Sequence, residues 1–467
     1  MAGRGDSQIK PSFLPLPDAG VAVGIVKSKV VRRRSGRAGL GVERDLEAHF
    51  RRSGAVPEET MNRRRLLAAA VGTGTGLNST ARAQERFPTR RLTQGPAHHW
   101  FGYYDKLQFD PTSRYVLGME VGFEHRSPKP EDSIRIGRVD LQSKDRWERL
   151  GESRAWCWQQ GCMLQWIPRS STRIIWNDRE DGQYVSRILD TRTGKTRTIG
   201  SAIYALSPDG RSAVTTDFRR LADTRPGYGY NGVPDPYRDE LRPDRSGIWR
   251  VDLETGKSEL ILTVRQIASQ GPQLPSMDGV KHWFNHLLFN PDGSRFVFLH
   301  RWQVGRSRET RMVTAAPDGT DIRMVDYNGL TSHFIWRDRN HILAWSGHPS
   351  QGKAFYLFED GGMKTVEAVG KGVMTDDGHC TYLPGGRFVL CDTYPDSRRM
   401  QKPYLYELKT RRRIELGEFL SPAEYTGEWR CDTHPRSSPD GKYVVIDSPT
   451  ADAGRQLHLI DVSSVNR

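Results

Sequence analysis

One phrase recurs seven times along this chain, and it constrains the fold more than any other feature. Its clearest copy is Phe289-Asn-Pro-Asp-Gly-Ser-Arg-Phe-Val-Phe. Variants start at Leu206-Ser-Pro-Asp-Gly, Leu383-Pro-Gly-Gly and Ser438-Pro-Asp-Gly, with degenerate copies at Phe109-Asp-Pro-Thr, Trp166-Ile-Pro-Arg and Trp336-Arg-Asp-Arg. Each reads as a strand, a tight turn built on Pro, Asp and Gly, and a second apolar strand, which is a β-hairpin. A second phrase follows each hairpin, at Arg135, Val185, Gly247, Arg311, Ala354, Pro403 and Gln456. Several of these end in another turn, such as Leu253-Glu-Thr-Gly-Lys.

Four strands per unit with two punctuated turns is one blade of a β-propeller. Seven copies predict an all-β fold over residues 84–467, a seven-bladed β-propeller with four-stranded antiparallel blades and almost no helix. The last copy leaves little room for an outer strand, so residues 86–96 are expected to supply it and close the ring. The hairpin anchors fall at 111, 168, 208, 291, 338, 384 and 439, and the interval from Pro208 to Pro291 is much the longest. It holds Arg219 to Asp244, rich in Arg, Pro, Gly, Tyr and Asp, which reads as a functional loop inserted in blade three.

Residues 1–83 have a different character. From Met61 the sequence Met-Asn-Arg-Arg-Arg-Leu-Leu-Ala-Ala-Ala leads through a weakly apolar stretch to Ala81-Arg82-Ala83. That is a charged segment, an apolar segment and a small-residue cleavage site, with an Arg pair like that of a twin-arginine export signal. Residues 61–83 are therefore expected to be an export signal, residues 1–60 a disordered or mis-called leader, and the location periplasmic or secreted. No apolar run after Gln84 approaches a membrane span. The five cysteines, Cys157, Cys162, Cys380, Cys391 and Cys431, include no CxxC pair, so a zinc ribbon is excluded.

The formal charge is +14, of which +8 lies in residues 1–83, leaving a mildly basic body of +6. That suits an acidic glycan as partner. Nucleic acid is disfavoured, because no basic run outside the leader is interleaved with aromatics. A monomer is expected.

The repeat allows equivalent positions to be compared. Five residues before the hairpin anchors of blades four to seven stand His286, His333, His379 and His434. Each falls where an innermost strand begins, at the mouth of the central channel. Convergent imidazoles bind a transition metal, so these four are candidate ligands for a divalent ion, zinc or manganese. The alternative is that they cap strand ends without metal.

The first three blades carry other chemistry. Blade one has His98-His99-Trp-Phe-Gly-Tyr-Tyr104-Asp105-Lys106, blade two has Gln159-Gln160-Gly161, and blade three has Tyr204 just before its hairpin. His125-Arg126 follows the second strand of blade one, and Arg219-Arg220 with Arg225-Pro-Gly-Tyr228-Gly-Tyr230 follows that of blade three. This inventory suits β-elimination from a uronate. The C5 proton becomes acidic when the carboxylate is neutralised, a base removes it, and an acid protonates the departing 4-oxygen. His99 and His125 are candidate base and acid, Tyr204 their partner, and Arg220 the carboxylate clamp. Arg126, Gln160, Arg225, Tyr228 and Tyr230 are candidate substrate contacts.

The first-blade motif His98-His99-Trp100-Phe101-Gly102-Tyr103-Tyr104-Asp105-Lys106, the Gln159-Gln160-Gly161 strand and the Gly-Tyr-Gly-Tyr loop resemble the propeller polysaccharide lyases. Ulvan lyases and rhamnose–glucuronate lyases are the nearest in character, and the His-bearing repeats also resemble oligogalacturonate lyase. The resemblance is diffuse over Arg86 to Val465, with only the first-blade motif distinctive. It implies seven blades, a His/Tyr/Arg site at His99, His125, Tyr204 and Arg220, and a bound divalent metal.

A non-catalytic periplasmic propeller that binds glycan or protein is the main alternative. A peptidase propeller is excluded by the lack of a G-x-S-x-G elbow and of a second α/β domain. A glycosidase would need two carboxylates across a cleft, and Asp105, Asp217 and Asp376 show no such pairing in the sequence.

Overall fold

The computed structural model describes residues 87–450 and 454–466. The leader and the expected export signal with its cleavage site lie outside the described residues. The described residues form one compact unit.

Seven four-stranded antiparallel sheets follow one another as blades. Blade one comprises His98–Trp100, Tyr115–Val121, Ile134–Asp140 and Arg146–Ser153. Blade four comprises His282–Phe289, Phe296–Val304, Ser307–Ala315 and Arg323–Gly329. Each hairpin phrase makes the first two strands of a blade, and each second phrase makes the third. The turn chemistry acts as its residues require: in blade four, Asn290 Oδ1 accepts a bond from the Arg295 amide at 3.0 Å across the Pro-Asp-Gly turn.

Ring closure follows the expectation. Blade seven takes Arg436–Ser437, Tyr443–Ser448 and Gln456–Asp461 from the end of the chain, and its outer strand is Thr89–Arg91. Arg90 pairs with Leu459 in that ladder.

The core lies between neighbouring blades. Val297, Leu299 and Met312 of blade four pack on Phe334, Trp336, Ile342 and Tyr356 of blade five. Alternation along each strand sends one set of side chains to each flanking blade. The five cysteines are buried free thiols. No helix among the described residues is long and apolar enough to cross a membrane.

The insert of blade three joins Ser212–Thr216 to Gly247–Asp252. It opens with a short helix, α1 (Phe218–Thr224), where the sequence suggested only a loop. Asp217 caps it by accepting a bond from the Arg219 amide. In every blade the first strand begins, and the second ends, at the same end of the axis. The insert, the His125 loop and the starts of the innermost strands therefore share one mouth.

Candidate active site

Backbone irregularity points the histidines inward. The ladder shifts register between Asn285 and Leu288 in blade four, and between Thr331 and Phe334 in blade five. His286 and His434 take φ of 54° and 40°, a left-handed conformation uncommon outside glycine. Such bulges re-aim side chains next to functional sites. All four imidazoles are buried.

They converge, but on an aromatic ring. The Tyr104 centroid lies 5.6, 5.8, 5.4 and 6.3 Å from the rings of His286, His333, His379 and His434. The nitrogens of His286 face the hydroxyls of Tyr103 and Tyr104 at 3.4 and 3.3 Å, and Asp105 at 3.5 Å. His333 Nδ1 sits 2.9 Å from Asp377. Two of the four imidazoles, those of His379 and His434, combine with Asp432 into a set whose ligand atoms all lie within 4.8 Å of one another.

That set fits a transition metal. The Nε2 atoms of His379 and His434 are buried without a hydrogen-bond partner, and each stands 4.0 Å from Asp432 Oδ2. Behind them, Asp392 accepts from the amides of His379 and His434 at 2.7 and 3.1 Å and meets His379 Nδ1 at 2.9 Å. A carboxylate behind an imidazole fixes the ring so that its other nitrogen faces the metal. Burial, with His379 alongside, holds His434 well below its ordinary pKa, so it is neutral as a ligand must be. Two imidazoles and one carboxylate leave coordination positions open.

Beside this set lies a group of arginines. Arg430 Nη2 donates to the Tyr228 hydroxyl at 2.8 Å, and its Nε donates to Asp432 at 2.8 Å. The Arg225 guanidinium lies 3.6 Å from the centroid of the Tyr228 ring. Arg301 is 4% exposed, and its Nε and Nη1 have no partner. Burial first, then Arg225 and Arg308, push it well below its ordinary pKa. Arg308 is pulled down to about 10, first by Arg225 and then by burial. Among the described residues none of Arg225, Arg301 and Arg308 has a carboxylate partner. Of the three, Arg301 is buried, Arg225 half-buried and Arg308 exposed. A buried cation without a counter-ion is costly, and with two further unpaired arginines beside it, it suits a site whose anion arrives with the ligand.

The other expected site residues are distributed more widely. No hydrogen bond, ion pair or ring contact joins any two of His99, His125, Tyr204 and Arg220. His99 is buried between Gln456 and Glu120, at 3.0 and 3.2 Å. His125 is exposed, its ring 4.8 Å from that of Tyr425. The Tyr204 hydroxyl accepts from Gln160 Nε2 at 2.6 Å and from the His286 amide at 2.9 Å. Burial, with Asp105 near, pushes Tyr204 well above its ordinary pKa. Arg220 is 1% exposed, and it donates to the carbonyls of His282, Tyr237, Glu240 and Leu241 and to Asp235. All five of its donors hold the insert against blade four, which leaves none for a substrate carboxylate.

Arg126 pairs with Asp132 at 2.6 Å and covers Phe123. Tyr230 is core: its ring stacks on Phe218 at 4.1 Å and its hydroxyl accepts from Asn177. Gln160 belongs to the tightest approach in the motif. A Cβ on Gly102, at φ 100°, would stand 2.8 Å from the Gln160 carbonyl carbon.

Sequence reasoning passed over Asp432, Arg301, Arg308, Arg430 and Lys106. The repeat contains a signal for Lys106, which occupies in blade one the position that His286 occupies in blade four. It lies 2.9 Å from Asp105 and over the Tyr204 ring. Asp432 was two residues from a histidine already singled out. Arg301 and Arg308 flank the tight turn at the mouth of blade four, where the second strand ends and the third begins.

No family model matches the chain, and no curated protein matches it. Solved structures do. An oligogalacturonate lyase from Vibrio parahaemolyticus is 15% identical, covering 82% of this chain and 95% of its own, with a TM-score of 0.59. An oligogalacturonate lyase in complex with manganese is 17% identical, covering 82% and 97%, with a TM-score of 0.61. TolB from Acinetobacter baumannii is 15% identical over 65% of this chain and 64% of its own, at a TM-score of 0.37. Of the families named in the sequence resemblance, these structures support the likeness to oligogalacturonate lyase. At these identities it establishes that this chain has the seven-bladed propeller fold of the first two.

Proposed function

We propose that the protein is a lyase that cleaves a uronic-acid-containing glycan by β-elimination at the C4–O bond. The observation that carries this is the juxtaposition of three arginines lacking carboxylate partners with a buried two-histidine, one-aspartate set. The two lyases sharing the fold are named for oligogalacturonate, itself a polyuronide, and one is complexed with manganese.

In this reading Arg225, Arg301 and Arg308 take the carboxylate of the uronate undergoing elimination. Their charge stabilises the negative charge that spreads from C5 into the carboxylate as the proton leaves. His379, His434 and Asp432 would hold a divalent ion, zinc or manganese. Such an ion, when bound, supplies Lewis-acid polarisation of a substrate oxygen. Arg430 bridges the two halves through Asp432 and Tyr228. Export to the periplasm or beyond through the twin-arginine-like segment would bring the enzyme to an extracellular acidic glycan.

A screen of uronate oligo- and polysaccharides tests this, read by the ultraviolet absorbance of the unsaturated uronate product. Activity is expected on at least one polyuronide, with loss on chelation and recovery on adding manganese or zinc. If no uronate is cleaved with metal restored, the lyase reading fails and a glycan-binding propeller replaces it.

A further inference from the structure

Tyr228 is buried at 4% exposure, and the roles above use its hydroxyl only as an acceptor for Arg430. It sits in the blade-three insert and packs against Tyr103 and Tyr104, the aromatic centre of the histidine cluster. The loop is held in place: the Gln159 amide donates to the Gly227 carbonyl, and the Tyr228 amide to Arg225. Gly227, at φ 86°, makes the turn that delivers the ring.

We propose that Tyr228 is the proton acceptor of this site, acting as a phenolate that Arg225 and Arg430 stabilise. The inference rests on the lyase reading and adds to it the residue that removes the C5 proton. The geometry supports it in two ways. Arg430 Nη2 donates to the phenol oxygen at 2.8 Å, and a charged donor favours the anionic form of its acceptor. The Arg225 guanidinium lies against the ring face.

The groups around Tyr228 come from several elements. The insert supplies Arg225, blade four supplies Arg301 and Arg308, and the loop before blade seven supplies Arg430 and Asp432. Tyr103 of blade one and Tyr394 of blade six complete the surround. Four cations thus face one carboxylate, which is itself paired with Arg430.

The balance of effects agrees. Burial alone would raise Tyr228, but Arg225 and Arg430 outweigh it and bring it down to about 8. Tyr103, Tyr104, Tyr204 and Tyr394 are all pushed well above their ordinary value, chiefly by burial. Of these five tyrosines, Tyr228 is the one able to act as a base near neutral pH.

In the step proposed, the phenolate oxygen takes the C5 proton and becomes a hydroxyl. The C5–H electron pair becomes the C4=C5 double bond. The C4–O bond breaks, its pair leaves with the 4-oxygen, and that oxygen takes a proton from water. Tyr228 then returns its proton to solvent.

The test compares the purified protein with its Tyr228→Phe variant. An ultraviolet titration should show one tyrosinate forming near pH 8, absent from Tyr228→Phe and moved upward in Arg430→Met. On a uronate that the parent cleaves, Tyr228→Phe should lower kcat by roughly 10²-fold or more. The rising limb of the parent's pH–kcat profile should vanish with it, while metal binding and the unfolding midpoint stay the same. No tyrosinate step below about pH 9.5, against an ordinary tyrosine near 10, overturns the proposal. Full kcat in Tyr228→Phe overturns it as well. A parent that cleaves no uronate but shows the step keeps the phenolate and removes the lyase reading instead.

Discussion

Arg301 is a side chain whose placement makes sense only with a ligand. It is buried, two of its nitrogens have no partner, and its one hydrogen bond, to the Thr331 carbonyl, is 3.5 Å long. Replacing a buried charge with an apolar side chain of similar length removes a desolvation cost. Arg301→Met should therefore stabilise the ligand-free protein by about 1–3 kcal/mol while abolishing uronate binding. Thermal melts and a binding assay on the same preparation check both halves, and a destabilised variant would mean that Arg301 has a structural partner. Asp392 makes the complementary case. It orients His379 and the backbone at His434, so Asp392→Asn should weaken metal affinity by roughly 10–100-fold with the ligands intact. Titration with manganese or zinc measures this. At this scale the sequence was readable where a residue's role follows from its place in the repeat, as with His379 and His434. It was not readable where neighbouring groups compete for a side chain. Arg220 and Arg225 are both insert arginines, and only the fold gives the donors of Arg220 to four carbonyls and Asp235 and leaves Arg225 on Tyr228.

Among the elements, the loop after the second strand of blade one ties the first blade to the last. Its Glu124 meets Arg455 at 3.2 Å, His98 at 2.9 Å and the Tyr425 hydroxyl at 2.7 Å. Burial would raise the Glu124 carboxyl, but His98, Arg455 and Tyr425 outweigh it and hold it at about 2. A carboxyl depressed in the folded state stabilises that state at pH values above its unfolded pKa. The contribution is lost as pH falls through the folded value. Glu124→Gln should thus be less stable than the parent by about 3 kcal/mol at neutral pH. The gap should close between about pH 4.5 and 2, the ordinary and the folded values of this group. Denaturant melts across that range check it, and a gap independent of pH would mean that Glu124 acts by packing alone. The elements themselves were legible because Pro-Asp-Gly turns and alternating apolar strands state their geometry locally. The mouth loops were not, since their partners lie far away in sequence: Glu124 and Arg455 are 331 residues apart. The helix α1 was hidden for a related reason, being stabilised by burial of Phe218 and Leu221 in the blade-three core more than by its own short sequence.

For the molecule as a whole, the ring is closed by three residues. Thr89–Arg91 pair with the third strand of blade seven, so the two ends of the propeller meet within one sheet. Phe87 and Leu92, on either side of this strand, are buried, Phe87 among Leu405, Val444 and Ile460, and Leu92 among Val116, Val445 and Leu457. A chain beginning at Thr93 would lose the strand and both side chains. At about 1.5–3 kcal/mol for each buried apolar side chain, it should lose about 3–6 kcal/mol before the ladder bonds are counted. The loss should not stay local. With the outer strand gone, blades one and seven still meet through Asp447 on the Phe101 and Gly102 amides, Arg436 on Gln108, and the Glu124 network, so the seam is weakened without being opened. The candidate metal set draws His434 and Asp432 from the loop that enters blade seven. The truncated protein is therefore expected to unfold at lower denaturant, and to bind manganese or zinc more weakly than the parent although every ligand is still present. The double substitution Phe87→Ala, Leu92→Ala keeps the strand's backbone and should show a smaller form of both effects. If truncation lowers stability but leaves metal affinity unchanged, the seam and the site are mechanically independent. If it lowers both in proportion, ring closure is what holds the mouth of the channel in register.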